Sequence, residues 1–320
     1  MQVECRPPSP REVMHLRPSD AAGAGIVLGF SAVTALALWL SAQPGVALWL
    51  VGQVLLSVAL VQWFVLLHEA GHRTLFQTRR LHAVVGRVAS VFCAIPFTVW
   101  TAVHGQHHKW TGWQDRDPTT AGLVPRPLAP MERALINTCW RWWIPLFSVL
   151  YRVSNFWHMR RLWRMFPERR HRLAFALDAA GLVFLYGGVV AWLGPVQLLR
   201  LLGLGLLLSL VFLDVILLSQ HTHIPMKRSG GEEVRPFAAA EQGVFTRSLR
   251  FPSWFSVGVL LQFDAHELHH LYPAVPGYLL RRIPYQPANE MPWWNWALRA
   301  RRMPAERFMF QNRHDTGENL

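Results

Sequence analysis

Cysteine is scarce. Cys5, Cys93 and Cys139 are the three in 320 residues, and no CxxC occurs. That excludes a disulfide scaffold and a cysteine–zinc framework, and it suits a reducing compartment. Charge is sparse as well. Charged residues make up 16% of the chain, where soluble domains carry about 25%. Acid is the scarcer sign, with 19 Asp and Glu against 32 Lys and Arg, so the formal net charge is +13. No internal repeat or low-complexity tract is present. What remains is apolar: 52% hydrophobic residues, including 16 Trp, which excludes a disordered chain.

The apolar residues gather into four runs, Gly23 to Ala42, Val46 to Leu67, Leu173 to Leu193 and Val196 to Ser219. Each approximates the ~20 residues that carry a helix across a hydrocarbon core of about 30 Å. Gln43-Pro44-Gly45 separates the first two runs and Gly194-Pro195 the last two. Short Pro/Gly breaks of this kind predict two helical hairpins. No cleavable signal peptide is evident before the first run, which reads as a signal anchor.

Basic residues then give an orientation. Of the 32 Lys and Arg, all but Arg200 precede the first run, lie between the second and third, or follow the fourth. Neither short turn carries a charge. By the positive-inside rule both termini and the long central segment are cytoplasmic. The expected organisation is a cytoplasmic segment over 1–22, a transmembrane hairpin over 23–67 and a cytoplasmic and interfacial segment over 68–172. A second hairpin over 173–219 and a cytoplasmic segment over 220–320 complete it. A basic soluble protein would suggest nucleic acid. Here the Arg alternate with Trp140, Trp142, Trp143, Trp157 and Trp163 beside spans, which predicts helices at the headgroup level and no nucleic-acid partner. Leu81 to Trp100 is apolar but holds Arg87 and Pro96. A crossing there would reverse the sidedness of many Arg, so an interfacial or re-entrant segment is expected. Asp178 and Asp214 fall inside spans, where an ionisable group is costly. Asp178 is read as a hydrogen bond between helices. Asp214 is open between that role and a contact near a site.

Ten of the 15 His form four tight groups: His68-Glu-Ala-Gly-His72, His104-Gly-Gln-His107-His108, His221-Thr-His223, and His266-Glu-Leu-His269-His270. On a helix i, i+3 and i+4 share a face, so three of the groups present convergent imidazoles. Imidazole is the commonest protein metal ligand and suits Fe, Zn and Cu. Eight to ten nitrogens exceed the four that one tetrahedral ion takes, which points to two metals. By the charge map all four groups lie at the cytoplasmic face. The first group also reads as HExxH, in which Glu69 would serve a zinc protease as general base. That reading leaves both HxxHH groups unexplained. In the two-metal reading Glu69 and Glu267 orient ligating imidazoles. A metal transporter would want its ligands spread across the bilayer, which this map does not provide.

HEAGH, HGQHHKWTGWQDRDP, QHTHIP and HELHHLYP together resemble the histidine boxes of the membrane fatty acid desaturase family, whose wider group includes lipid hydroxylases and carotenoid ketolases. The likeness runs from the first span to about Pro276. It implies an all-α integral membrane protein of four transmembrane helices in two hairpins, with a cytoplasmic helical cap bearing the boxes. It implies two Fe ions that activate O2 to take hydrogen from an acyl chain. The implied ligands are His68, His72, His104, His107, His108, His266, His269 and His270, completed by His221 or, alternatively, His223. Asp115 and Asp117 stand where relatives carry acidic residues and are expected to hold ligands in place. The first box has three residues between its His, as in many acyl-lipid desaturases. No HPGG of a fused cytochrome b5 occurs. Electrons are therefore expected from a separate donor (ferredoxin, cytochrome b5 or a reductase), whose acidic surface the basic face would suit. The expected substrate is a fatty acyl lipid that enters sideways from the membrane, its chain lying along the second and fourth spans near Phe92 and Trp100. Hydroxylation or oxidative decarboxylation are alternatives within the same chemistry.

Overall fold

The computed structural model describes residues 7–320; Cys5 and Arg6 lie outside the described residues. The chain is a helical membrane protein. Among the described residues four helices are long and apolar enough to cross a bilayer: α1 (Asp20–Ser41), α2 (Val46–His72), α8 (Arg169–Leu193) and α9 (Pro195–His221). Three of them contain the whole of an expected run, and α1 covers the first run but for Ala42, its C-cap. α2 and α9 continue past the apolar limit because the backbone ladder carries on into the His-bearing turns, so His68, His72 and His221 are helical. Between and after these lie α3 (Arg79–Cys93), α4 (Phe97–Trp110), α5 (Pro130–Arg141), α6 (Leu146–Arg152), α7 (Met159–Met165), α10 (Ser253–Gly258), α11 (His266–Leu271), α12 (Trp293–Arg302), α13 (Ala305–Phe310) and α14 (Arg313–Thr316). Two short strands, β1 (Ser248–Arg250) and β2 (Glu290–Pro292), pair in parallel with Ser248 opposite Glu290.

The chain divides into two compact units. The apolar unit holds Pro18–Ala102 and Ser148–Leu213. Within it Ser19 caps α1, its side chain accepting from the Ala22 N–H. The Asp20 carboxylate accepts from the Gln77 and Thr78 amides and the Thr78 hydroxyl. α1 packs on α2, where Trp63 Nε1 donates to Thr34 Oγ1 over 2.8 Å. Gln53, fully buried on α2, enters the backbone ladder of α9. Its Nε2 donates to Leu201 O, and its Oε1 accepts from the Gly205 N–H, each over 2.8 Å. A Cβ at Gly205 would stand 3.0 Å from Gln53 O, so glycine permits the approach. The amide thus spans a gap in an intramembrane helix that water could not fill.

α3 and α4 are bent by 96° at the break Ala94–Pro96, where Ala94 takes a left-handed φ of 51° and Pro96 supplies no N–H. The segment is a broken span or a re-entrant loop, and the re-entrant course expected from Arg87 and Pro96 is one of the two. Asp178 of α8 holds the first turn of α4: its Oδ2 accepts from Thr98 N over 2.7 Å and from Thr98 Oγ1 over 2.8 Å. A carboxylate at a helix N-terminus satisfies donors that have no partner within the helix. The Arg/Trp-rich stretch is helical in pieces, with a π-turn over Val153–Trp157 between α6 and α7.

The histidine unit comprises residues up to Arg17, Val103–Phe147 and Asp214–Leu320. Its core sets Val13 and Leu16 against Leu268, Leu271, Tyr272, Leu280 and Ile283, which backs α11 with apolar side chains. Arg247 precedes β1 and is buried. Its Nη1 donates to Ser219 O and Thr222 O, and its own amide donates to Gln220 O, so it caps the C-terminal end of α9. Burial pushes its guanidinium down to about 9. Asp214 is buried and attracts Arg301.

Candidate metal centre

Four imidazoles of the histidine unit converge: His107 on α4, His221 at the last residue of α9, and His266 and His270 one turn apart on α11. One nitrogen from each lies within 4.8 Å of the other three. A tetrahedral ion with metal–nitrogen bonds of about 2.1 Å needs nitrogens about 3.4 Å apart. His266 Nε2 lies 2.8 Å from His221 Nε2 and 3.1 Å from His270 Nε2.

Hydrogen bonds behind the rings decide what those nitrogens are. His107 Nδ1–H donates to Asp117 Oδ2 over 2.7 Å. His221 Nδ1–H donates to Phe245 O over 3.1 Å. A carboxylate and a carbonyl can only accept, so both ring protons sit on Nδ1. His270 Nδ1–H donates to Gln242 Oε1 over 2.9 Å, while Gln242 Nε2 donates to His108 O over 2.8 Å. That second bond fixes which way the amide faces. Three Nε2 lone pairs therefore point inward without a proton. Facing acceptors repel, and a cation among them turns the repulsion into coordination. The residues fit a metal on this ground.

The electrostatics agree. Burial and the neighbouring imidazoles hold the His270 ring well below its ordinary range, so it stays neutral. Burial pushes the Asp117 carboxyl up, but the attraction of His107, its hydrogen bond and the Thr119 amide outweigh that, and the group ends below the usual carboxylate range. Thr119 Oγ1–H donates to Asp117 Oδ1 over 2.9 Å. The carboxylate is thereby oriented from its far side.

The same unit holds a second set of rings. His104 Nε2 lies 3.1 Å from His108 Nε2, which lies 3.0 Å from His269 Nε2. In the apolar unit His68 and His72 stand side by side with ring centres 4.6 Å apart, and the edge of Trp100 meets both. A Cβ at Gly71 would come within 2.1 Å of the Trp100 ring, so the glycine of HEAGH makes room for that indole. His68 Nδ1–H donates to Glu69 Oε1 over 3.2 Å, and Thr74 Oγ1–H donates to Glu69 Oε2 over 2.8 Å.

Several sequence expectations are sorted by these contacts. His221 joins the quartet. His223 stands apart, its Nδ1 donating to Gln311 O and its Nε2 accepting from Thr316. Asp117 holds an imidazole as expected, but Asp115 does not. Asp115 accepts from Ser229 N, Ser229 Oγ and Gly230 N and so ties a loop. Glu267 also departs from expectation. Its carboxylate accepts from the Ala288 and Asn289 amides and from Tyr285, not from a ligand His, because those amides arrive beside it with no other acceptor. Gln242 and the Phe245 carbonyl escaped sequence reasoning. A glutamine 28 residues from the ring it serves leaves no spacing signal, and any residue carries a carbonyl.

Comparison with known proteins places these rings in context. The fatty acid desaturase family model matches residues 44–301. A probable fatty acid desaturase of Sorghum bicolor is 26% identical over 237 residues, covering 68% of this chain and 58% of the relative. An sn-1 oleoyl-lipid 12-desaturase of Picosynechococcus sp. is 26% identical over 297 residues, covering 85% of this chain and 78% of the relative. A chloroplastic sn-2 acyl-lipid omega-3 desaturase (ferredoxin) of Helianthus annuus is 24% identical over 239 residues, covering 68% of this chain and 50% of the relative. The chain thus spans between 50% and 78% of the length of these three.

Proposed function

Because the chain belongs to the fatty acid desaturase family, we propose that it is an O2-dependent membrane oxidoreductase that introduces a C=C bond into the acyl chain of a lipid. The observation that carries this is the inward set of unprotonated Nε2 atoms, each fixed by an acceptor behind its ring.

In this reading His107, His221, His266 and His270 hold one iron. His104, His108 and His269, with the HEAGH pair His68 and His72, hold the other, as the box pattern of the family implies. Bound iron supplies the one-electron chemistry with O2 that removes hydrogen from an unactivated carbon. The protein's own part is placement. Asp117, Gln242 and the Phe245 carbonyl keep three ring protons on Nδ1, so the coordinating face does not depend on a chance tautomer. Glu69, steadied by Thr74, does the same for His68. Burial of the rings keeps bulk water from the reacting groups. An acyl chain entering from the bilayer beside α2 and α9 would be held in one register, which selects one C–H bond among many. The box-bearing segments 68–172 and 220–320 and the segment 1–22 face the cytoplasm, and the hairpins over 23–67 and 173–219 cross the membrane. Electrons come from a separate donor, of the ferredoxin or cytochrome b5 kind that names of relatives carry, or from a reductase.

The test is expression in a host, with total lipid extracts compared by mass spectrometry against those of His107→Ala. Loss of two hydrogens from an acyl chain, absent in the variant, is expected, with about two irons per purified chain. Gain of one oxygen or loss of a carbon would replace desaturation by hydroxylation or decarboxylation. One tight zinc with O2-independent peptide cleavage would overturn the reading.

A further inference from the structure

The histidine unit carries an aromatic ridge on the two segments that flank HELHH in sequence. Trp254 meets Phe255 edge to face, Phe255 stacks on Phe251, and Phe251 stacks on Trp293, each with ring centres 5.4 Å apart. Trp294 follows at 6.3 Å. The parallel β1–β2 pair brings the two segments together, placing Arg250 opposite Pro292. The ladder is buried in the middle and open at its ends: Trp254 is 72% exposed, Trp294 48% and Leu298 60%. Residues 250–258 and 293–302 contain no acid, while Arg250, Arg299 and Arg302 are exposed around the rings. Arg301 lies between the faces of Trp140 and Trp143, 3.7 Å and 3.5 Å from their centres, which joins α12 to the Trp-rich end of α5.

Two observations name what covers this ridge. Arg247 is bonded to the last carbonyls of α9, a membrane-crossing helix. Phe251 is four residues further on, so it lies within about 14 Å of the level where that helix ends. The composition of these two segments, exposed indoles with exposed arginines and no acid, is that of a bilayer interface, where rings sit among headgroups and guanidinium groups reach phosphates. A water-facing surface gives no reason for open Trp, and a second copy of this chain, at a net charge of +13, brings like charge to Arg250, Arg299 and Arg302.

We propose that this ridge docks the histidine unit on an anionic leaflet, with Trp254 and Trp294 in the headgroup layer and Arg299 and Arg302 on lipid phosphates. The inference rests on the membrane location of the chain and not on the reaction it performs. Its role is to seat the imidazole-bearing unit where a lipid leaves the bilayer.

The experiment places a nitroxide at Trp254→Cys, Trp294→Cys or Leu298→Cys in turn, in the full-length protein carrying Cys5→Ser; Cys93 and Cys139 are buried. The protein is reconstituted in phosphatidylglycerol-containing nanodiscs, and accessibility to O2 and to a water-soluble nickel complex is measured. An O2-to-nickel ratio about fivefold above that of a label at Glu233→Cys, an exposed site of the same unit, is expected. A ratio equal to that of the Glu233 site would overturn the docking, because the ridge would lie in water. Protection from both reagents would overturn it too, since a protein surface would then cover the ridge. Arg299→Glu with Arg302→Glu should bring the ratio down towards the Glu233 value; an unchanged ratio would overturn the assignment to anionic lipid.

Discussion

The dipeptide His-Glu occurs in both HEAGH and HELHH, and the two glutamates do opposite things. In the apolar unit Glu69 turns to the ring of His68 and is braced by Thr74, which the left-handed residue Arg73 brings back against it. In the histidine unit Glu267 turns from its rings and accepts the amides of Ala288 and Asn289, just before β2. Burial pushes its carboxyl up despite those amides. The lesson is that a carboxylate's role follows the nearest unsatisfied donors, not its place in a motif. Where the chain folds back on itself within a few residues, the glutamate serves its own histidine. Where a loop arrives with bare N–H groups, it serves the loop. The imidazoles of the histidine unit are then oriented by groups from elsewhere in the chain, Asp117 and Gln242.

Four substitutions break or sharpen this contrast. The largest effect is expected from Asp117→Asn, which removes the charged acceptor behind His107. Metal affinity should fall about 10- to 100-fold, read by chelator competition. Unchanged affinity would show that the ring needs no such anchor. Next, Glu69→Gln and Glu267→Gln should separate. The first should weaken metal binding about tenfold with little change in melting temperature. The second should lower the melting temperature and leave metal content alone, and equal effects on metal would erase the comparison. Smallest is Asp115→Asn. Burial pushes the Asp115 carboxyl up, yet the Ser229 amide and hydroxyl and the Gly230 amide outweigh it and hold it low. A carboxyl lowered by folding stabilises above its unfolded value and loses that contribution as pH falls through the folded one. The melting difference between the protein and Asp115→Asn should therefore be present near neutral pH, begin to shrink below about pH 3.8 and vanish only below the lowered folded value.

Much of this was legible in the chain. The four spans came from run length alone, because a bilayer sets one length for any apolar helix. The break at Ala94–Pro96 was foreshadowed by Pro96 and Arg87. His107, His108, His269 and His270 were legible because helical spacing is local. His221 could not be told from His223 by spacing, since two residues apart on the end of α9 they differ only in what the chain does next. The His223 φ of 62° and its bonds to Gln311 and Thr316 depend on α13 and α14, nearly 90 residues later. Gln53 was invisible for the same reason: a lone amide in an apolar run says nothing of which helix ladder it will enter. Glu267 was misread because it and Glu69 hold the same i+1 position, and only the arrival of residues 288–289, some twenty residues later, separates their roles.

The imidazole quartet brings no formal charge of its own, and its nearest anion, Asp117, touches a ring and not the space the rings enclose. Two positive charges seated there would be offset by about one negative charge set one ring behind. A pocket so filled would pull towards itself whatever can lend electron density, a hydroxide or an incoming electron alike.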